Sequence, residues 1–196
     1  MRIISYLFFD GHLYKDLKCF FLSSKSVSDL KNFERLIDKK FNIRGKYYFN
    51  DGGAGKNKTH KYRVFSRKIC RELESLGVPK GSKTIKEYLI PDWIFFNKKF
   101  AKEFTKIAYL CEGSMKEKRR NPRISINMCK SEQLLQNGVD FMNQIRSILK
   151  ENGIETTPIG VYSIKPRKDG TKVKILRFRI KTLHNNNFIK KIGWLK

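Results

Sequence analysis

A short apolar segment that ends in a carboxylate and a glycine occurs twice in this chain, and this repeat constrains the fold more than any other feature. The first copy, MRIISYLFFDGHL, begins the sequence and contains Asp10-Gly11. The second copy, FTKIAYLCEGSM, begins at Phe104 and contains Glu112-Gly113. In each copy the apolar residues fall at helical spacing, and the glycine stands where a C′ residue would end the helix. The repeat predicts two equivalent helices that each end at an acidic residue.

An acidic residue at the C-terminal end of a helix is electrostatically unfavourable. The negative end of the helix dipole repels an anion, so helices usually end in Lys, Arg or His. A single Asp-Gly pair is most simply a turn, but two matched copies favour a function for both carboxylates. The pattern predicts that a positive group, such as a metal ion, meets Asp10 and Glu112.

The net charge of the chain points to a polyanionic partner. The sequence contains 43 Lys and Arg residues against 18 Asp and Glu residues, a net charge of +25. Such an excess attracts polyanions. Because 40% of the residues are hydrophobic and 13% are aromatic, the composition favours a folded nucleic-acid-binding protein over a disordered one.

A membrane-surface protein is the weaker alternative. No apolar run approaches the roughly 18 residues of a membrane span, and no signal peptide is visible. We therefore expect a cytoplasmic, nucleoid-associated protein without a membrane partner.

The cysteine and histidine pattern does not predict a structural metal site. No two cysteines form a CxxC pair, and the three histidines do not have the spacing of zinc ligands. We expect buried, reduced thiols in an intracellular protein. The isolated cysteines are Cys19, Cys70, Cys111 and Cys129.

The hydrophobic patterns predict the same order of elements in each half of the chain. In the first half the predicted elements are a hairpin at 13–23, a helix at 27–41, strands at 46–50 and 60–65, and a helix at 66–76. In the second half they are strands at 123–128, 156–164 and 172–181, and helices at 131–152 and 183–192. Basic residues alternate along the last strand, but the alternation shifts by one position at Ile175-Leu176. A β-bulge there would explain the shift.

The matching order indicates an internal duplication. Tyr62-Arg63-Val64 corresponds to Phe178-Arg179-Ile180, and Gly77 corresponds to Gly193 at the same offset. We predict an α+β protein with two pseudo-symmetric αββαββα halves. Two halves related by a pseudo-two-fold axis would suit duplex DNA, whose backbones are themselves two-fold related. The predicted domains are a first half at 1–77, a linker at 78–97 and a second half at 98–196.

The repeated motifs resemble those of a known family. IISYLFFDG (Ile3 to Gly11) and TKIAYLCEG (Thr105 to Gly113) resemble the two namesake helices of the LAGLIDADG homing endonucleases. The linker LGVPKGSKT, which begins at Leu76, and the closing IGW are similar to the two-motif, single-chain members of the archaeal and intein type. The resemblance covers the whole chain.

The resemblance implies a fold and an activity. The two motif helices would pack against each other at the centre, and each half would contribute an antiparallel sheet to a saddle that lies in the major groove of double-stranded DNA. Asp10 and Glu112, with Gly11 and Gly113 beside them, would bind Mg²⁺ or Mn²⁺ near the scissile phosphates of a monomeric enzyme. Phosphodiester hydrolysis needs an activated water and neutralisation of the leaving oxygen, and Mg²⁺ held by carboxylates supplies both.

The resemblance also implies roles for basic residues near the fourth strand of each half. The candidates for orienting water or stabilising the transition state are Lys58 or Lys61 in the first half and Lys172 or Lys174 in the second, and our choices are Lys61 and Lys174. A phosphate contact is the alternative role for each of these lysines. The side chains expected to contact base edges are Arg123, Ser125, Asn127, Arg177 and Arg179. The other expected DNA contacts are Lys56, Lys58, Arg63, Lys116, Lys118, Arg119, Arg120 and Lys172.

The leading hypothesis is a site-specific, Mg²⁺-dependent endonuclease that makes a double-strand break with short 3′ overhangs, as the family implies. Without splicing domains it would be free-standing, intron-encoded or an excised fragment. The main alternative is a non-catalytic binder on the same scaffold, either a maturase with intron RNA as its partner or a DNA-binding regulator. Bulky Phe9 and Ile107, where the motif usually has small residues, favour this alternative. A ribosome-associated basic protein would explain the charge but not the repeated motifs.

Overall fold

The computed structural model of the chain describes residues 1–49, 59–116, 122–163, 166–167 and 169–193. The chain divides into two compact units, Met1–Gly81 and Ser82–Lys196. The boundary lies within the predicted linker at 78–97. Each unit contains one of the two carboxylate–glycine motifs and one four-stranded sheet.

The first unit has the order αββαββα. Its sheet is antiparallel, with the strand order β1-β2-β4-β3. The elements are α1 (Arg2–Phe8), β1 (Gly11–Leu13), β2 (Cys19–Ser24), α2 (Val27–Phe41), β3 (Lys46–Tyr48), β4 (His60–Phe65) and α3 (Arg67–Ser75).

The second unit repeats this order after a short connecting region. That region contains a 3₁₀ turn at Lys83–Ile85 and a helix, α4 (Asp92–Phe95). Its sheet is also antiparallel, with the equivalent order β5-β6-β8-β7. The remaining elements are α5 (Lys98–Glu112), β5 (Gly113–Lys116), β6 (Arg123–Ser131), α6 (Leu135–Glu151), β7 (Gly160–Ser163), β8 (Val173–Arg179) and α7 (Asn185–Lys191).

The predicted α+β class and the two αββαββα halves are confirmed, whereas several predicted element ends are displaced. Strand β6 continues to Ser131, where the sequence predicted a helix to begin, and a 3₁₀ turn precedes α6. Strand β7 begins only at Gly160, and Thr156 instead forms an isolated bridge to Ile180.

The predicted bulge at Ile175-Leu176 is wrong. The pairing of β6 with β8 is continuous from Ser125↔Arg179 to Ser131↔Val173. Successive strand residues point to opposite faces, so the change of phase places Lys174 and Arg177 on different faces of the sheet. The basic residues change phase because they occupy both faces of one regular strand.

One face of each sheet is buried beneath helices, and we call the opposite face the open face. In the first sheet the buried face packs against α1 and α2, and in the second it packs against α5 and α6. Strict alternation in the strands produces this division. The buried-face residues include Phe20, Leu22, Tyr62 and Val64 in the first sheet and Ile124, Ile126, Leu176 and Phe178 in the second.

The two motif glycines are required by close approach of the backbone, and the prediction that they are C′ residues is wrong. Gly113 has φ −76° and ψ 150°, and neither motif glycine has the positive φ of a C′ residue. A Cβ atom on Gly113 would lie 2.1 Å from the carbonyl oxygen of Tyr109. A Cβ atom on Gly11 would lie 2.8 Å from the Cα of Leu7. Each glycine lets an edge strand leave directly against the last turn of its helix.

Glycines that end two other helices do have the conformation of a C′ residue. Gly77 follows α3 with φ 91°, and Gly193 follows α7 with φ 88°. This is the left-handed conformation that glycine adopts without a steric penalty.

A buried lysine attaches the connecting region to the second sheet. Lys130 lies on the buried face of β6 and is fully inaccessible to solvent. Its Nζ donates hydrogen bonds to the carbonyl oxygens of Lys83, at 3.2 Å, and of Lys86. The same Nζ lies 4.0 Å from the centroid of the Tyr88 ring. The region from Lys83 to Tyr88 is therefore attached to the second unit by Lys130, and it is also bonded by Asn137 and Arg167.

The free cysteines differ in exposure. Cys19 and Cys70 are buried, as expected, and burial raises the pKa of the Cys70 thiol to about 11. The same expectation is wrong for Cys129, which is exposed because it lies on the open face of β6. Across the described ranges, no helix combines the length and the apolar character needed to cross a membrane.

Gly113→Ala should destabilise the second unit. The new methyl group would overlap the Tyr109 carbonyl oxygen, and relief requires the helix and the strand to separate. We expect a loss of about 3 kcal/mol in the free energy of unfolding, measured by urea denaturation. The control is Ser114→Ala, the next residue of the same strand, which should change stability by less than about 0.5 kcal/mol. Equal effects of the two substitutions would contradict the close-approach explanation.

Lys130 should make stability depend on pH. Burial lowers the pKa of Lys130 to about 8 from the ordinary 10.5. Between these values the unfolded chain binds more protons, so stability rises as pH increases above about 8 and falls as pH decreases through it. From pH 7 to pH 9.5 the wild type should gain about 2 kcal/mol more than Lys130→Met, measured by urea denaturation. Lys150 is exposed, so Lys150→Met is the control and should gain as much stability between these pH values as the wild type. An equal gain in Lys130→Met would show that Lys130 is not the source of the pH dependence.

Candidate nucleic-acid interface

The register of the two sheets is the same, so their residues can be matched position by position. Each motif glycine pairs with a buried-face residue of the next strand, and that residue pairs with a buried-face residue of the strand beyond it. This equivalence agrees with the sequence match of Tyr62 to Phe178. The two equivalent rows are Gly11, Leu22 and Tyr62 in the first sheet and Gly113, Ile126 and Phe178 in the second.

Each motif carboxylate immediately precedes the edge strand of its sheet. Asp10 is exposed, follows the end of α1 by two residues, and accepts a 3.3 Å hydrogen bond at its carbonyl oxygen from the backbone N–H of Ser23. Glu112 is partly exposed and is the last residue of α5. Both acids therefore lie where a motif helix passes into a sheet.

The matched rows also place one basic residue in line with each carboxylate. Continuing the register by one residue aligns Asp10 with Ser23 and Lys61 in the first sheet. The same step aligns Glu112 with Asn127 and Arg177 in the second. With two strand spacings of about 4.8 Å between the edge strand and the basic residue, a long cationic side chain reaches a phosphate near the carboxylate.

The negative charge of Glu112 acts on its neighbours within the second unit. Although Cys129 is exposed as a residue, partial desolvation of its sulfur raises the pKa of the thiol, and the Glu112 charge raises it further. Burial also raises the pKa of Tyr88, again with a smaller contribution from Glu112. Glu112 is thus a source of negative potential beside strands that carry positive charge.

The strands themselves are free of acidic residues. Across the described part of the chain, none of β1 to β8 contains Asp or Glu. Both open faces are therefore electropositive, as a phosphate-binding surface requires. The open-face cations are Lys46, Lys61 and Arg63 in the first sheet and Lys116, Arg123, Arg177 and Arg179 in the second.

The cations of the first sheet lie over aromatic rings. Arg63 Cζ lies 4.5 Å from the ring centroid of Tyr48 and 5.7 Å from that of Phe21. Lys61 Nζ lies 5.2 Å from the Phe21 centroid. His12 stacks against Phe21 at 5.3 Å. Cation–π attraction holds these basic side chains in defined positions.

The cations of the second sheet are held by polar partners. Arg177 Nε donates a hydrogen bond to Asn127 Oδ1, and the Arg177 guanidinium lies 5.4 Å from the Tyr162 ring centroid. Arg123 and Arg179 line a cavity of about 340 Å³ together with Thr157, Ile180, Lys181 and Thr182. The cationic lining of this cavity suits a phosphate group.

Two of the predicted basic residues lie away from this row. Lys174 is on the face shared with Leu176, where its Nζ lies 3.0 Å from Glu132 Oε1 and 3.0 Å from Ser163 Oγ. Lys172 is exposed just before β8. The residue equivalent to Lys61 is Arg177, for which the sequence predicts only a base contact.

The remaining predicted contacts divide by location. Ser125 lies on the open face between Ser114 and Arg179. The predicted contacts Lys56, Lys58, Lys118, Arg119 and Arg120 lie outside the described residues.

Sequence reasoning missed three aromatic residues of the first open face, namely His12, Phe21 and Tyr48. In β2 the run Cys19 to Leu22 is entirely apolar, so alternation could not show that Phe21 points away from the core. For His12 the alternation of polar and apolar residues was visible in the sequence, because His12 lies between Gly11 and Leu13, which are both buried.

The carboxylates are suitable ligands for a hard divalent cation. Mg²⁺ binds through one or two carboxylates and completes its coordination with waters and substrate phosphates. Among the described residues, no cluster of three or more His, Cys, Asp or Glu side chains could hold a metal. This donor set fits a metal held by Asp10 or Glu112 together with phosphate oxygens.

Comparison with curated proteins gives several archaeal relatives. The chain is 33% identical over 180 residues to the tRNA-splicing ligase RtcB of Pyrococcus abyssi, covering 87% of this chain and 19% of that protein. It is 31% identical over 145 residues to the RNA polymerase subunit Rpo1N of Methanocaldococcus jannaschii, covering 71% of this chain and 10% of that subunit. The chain thus spans a fifth or less of these relatives. No family model matches the sequence.

Comparison with solved structures identifies the fold. The homing endonuclease I-DmoI in complex with DNA and Mn matches with a TM-score of 0.57 and 18% identity, covering 100% of this chain and 98% of that chain. The N-terminal LAGLIDADG domain of DUF199/WhiA matches with a TM-score of 0.56 and 16% identity, covering 100% of this chain and 82% of that chain. With its two matched αββαββα repeats, this chain has the LAGLIDADG fold.

Proposed function

We propose that this protein is a site-specific endonuclease that cleaves double-stranded DNA with a divalent metal, Mg²⁺ or Mn²⁺. The observation that carries the proposal is the matched position of Asp10 and Glu112, each directly before an edge strand and in line with a basic residue on an acid-free open face. A binding surface alone needs the cations but has no use for an acid at the same place in both halves.

The comparisons support the proposal in two ways. I-DmoI, which has the same fold, was solved with its target DNA and with Mn, Mg or Ca. The curated relatives carry three unrelated names, a tRNA-splicing ligase, an RNA polymerase subunit and a replication factor C subunit. A segment shared by such different proteins does not carry the activity of any one of them, which favours a separate activity for the segment.

The chain's own residues have distinct roles in this reaction. Asp10 and Glu112 would each hold a divalent metal, which when bound would activate water and neutralise charge on the leaving oxygen. Lys61 neutralises the phosphate in its row, and its contact with the Phe21 ring fixes its position before DNA arrives. The other open-face cations bind backbone phosphates and set the register of the duplex.

A non-catalytic nucleic-acid binder is the second candidate. Phe9 and Ile107 are buried, with 9% and 2% of their surfaces exposed, at motif positions where the family usually has small residues. Bulk there would shift the motif helices, and a displacement of about 1 Å is enough to impair catalysis. This candidate predicts DNA or RNA binding without cleavage.

Asp10→Asn should abolish cleavage and preserve binding. The amide keeps the shape of the side chain but removes the charge that holds the metal, so cleavage should fall by about a thousandfold or more. Targets would be selected from a randomised duplex library in Ca²⁺ and cleavage measured in Mg²⁺. Binding in Ca²⁺ should change by less than about threefold, since Asp10 reads no base.

The matched control is Asp16→Asn. Asp16 is also an exposed acid of the first unit, where it pairs with Lys18 at 3.3 Å in the turn after β1, and its loss should leave cleavage intact. Tight binding with no cleavage by the wild type would replace the endonuclease with the non-catalytic binder.

Arg177→Met and Lys174→Met test which face of the second sheet binds DNA. Each substitution removes one positive charge from β8, but only Arg177 is on the open face. We expect duplex binding to weaken about tenfold for Arg177→Met and less than about twofold for Lys174→Met. The dependence of affinity on salt should also become shallower only for Arg177→Met, because one fewer counterion is released. The opposite order would show that the open face is not the DNA-binding face.

A further inference from the structure

The two open faces carry different side chains at matched positions. In the row of Arg63, the first sheet has His12 and Phe21, and the second sheet has serine at both places. In the row of Lys61, Tyr48 of the first sheet is matched by a glycine of the second. Three aromatic side chains are thus replaced by three small residues. The small residues, in the same order, are Ser114, Ser125 and Gly160.

The difference changes what each face can recognise. In the first sheet the cations lie on the rings, so the face is a partly exposed aromatic surface. Apolar surface of this kind contacts the C5-methyl group of thymine in the major groove. The other bases offer no methyl group at that edge, so such a contact selects T·A base pairs.

In the second sheet one aromatic ring, that of Tyr162, lies beside Arg177, and the matched neighbours are small, so polar side chains define most of the face. Arg177 uses Nε to bond Asn127, and its two terminal amino groups are the other donors of the guanidinium. This fork of donors matches the N7 and O6 acceptors of guanine. Arg179 is exposed in the adjoining row and offers a second such fork.

The arrangement of the rings argues against stacking on unpaired bases. Aromatic side chains on a sheet can bind single-stranded nucleic acid by stacking. Here the Phe21 ring is already stacked against His12, with an angle of 27° between the ring planes, and both Lys61 and Arg63 lie over it. Because His12, Lys61 and Arg63 cover the Phe21 ring within the protein, its edge is what a ligand meets.

We propose that the two sheets recognise base pairs by different chemistry, with His12, Phe21 and Tyr48 contacting thymine methyl groups and Arg177 and Arg179 donating to guanine. The target is then asymmetric, with a thymine-rich half-site on the first sheet and a guanine-containing half-site on the second. This inference rests on duplex DNA being the ligand, as in the proposed function, but it does not require cleavage.

Base analogues test the inference with the wild-type protein. Deoxyuridine in place of thymine removes only the methyl group, and 7-deazaguanine removes only the N7 acceptor. With targets selected in Ca²⁺, deoxyuridine should weaken binding by about three- to fivefold per contacted base in one half-site and have no effect in the other. 7-Deazaguanine should weaken binding by about tenfold in the opposite half-site alone.

Two variants assign each half-site to a sheet. Phe21→Ser installs the residue found at the matched position of the second sheet and should abolish the deoxyuridine effect, while Arg177→Met should abolish the 7-deazaguanine effect. Phe96→Ser is the control, because Phe96 is 74% exposed between α4 and α5, outside both sheets. If Phe21→Ser fails to fold, the analogue measurements on the wild type still decide.

The outcomes separate this inference from the proposed function. If each base analogue weakened binding equally in both half-sites, or in neither, the inference would be overturned. The proposed endonuclease function would not be affected. Site-specific binding with the expected asymmetry but no cleavage in Mg²⁺ would overturn only the endonuclease. Tighter binding of single-stranded RNA than of any duplex would overturn both, because the aromatic face would then be a stacking surface.

Discussion

The contact between a motif glycine and the last turn of its helix determines how the candidate site is built. Gly113 begins β5 so close to Tyr109 that no side chain fits, and Gly11 begins β1 in the same way beside Leu7. A strand that starts there needs no connecting loop. The acid before each glycine is therefore fixed at the junction of helix and sheet, and its distance from the strand cations is set by the backbone rather than by a mobile turn.

The register of the sheets extends this constraint across the open faces. Because β1 and β5 start at fixed points, their pairing with the neighbouring strands aligns each acid with one basic residue, Lys61 or Arg177. The buried faces anchor the register, since a slip of one residue would expose residues such as Leu22 and Ile126. Core packing and site geometry are thus enforced by the same strand pairs, and mutations in the core should disturb recognition.

Sequence patterns predicted most of the fold because they follow local rules. Repeated apolar spacing gave the motif helices, and alternation in β6 placed Ile124 and Ile126 inward and Arg123 and Asn127 outward. The same alternation, carried four residues beyond Ile126, would have predicted that Lys130 is buried. The displaced element ends, such as the start of β7 at Gly160, depend on which strand residues find a partner across the sheet, and that is not a local property.

The sequence by itself determined the αββαββα duplication, the positive charge and the two acid–glycine pairs, because periodicity, composition and spacing are properties of the chain. Only the tertiary structure decided the role of the glycines and the face on which each basic residue lies. Without the register, Lys174 and Arg177 look alike, yet one pairs with Glu132 and the other lies in the row of Glu112. Cross-strand pairing makes that distinction. It joins segments that are far apart in the chain, and the local sequence around Lys174 or Arg177 does not show which residues will lie opposite.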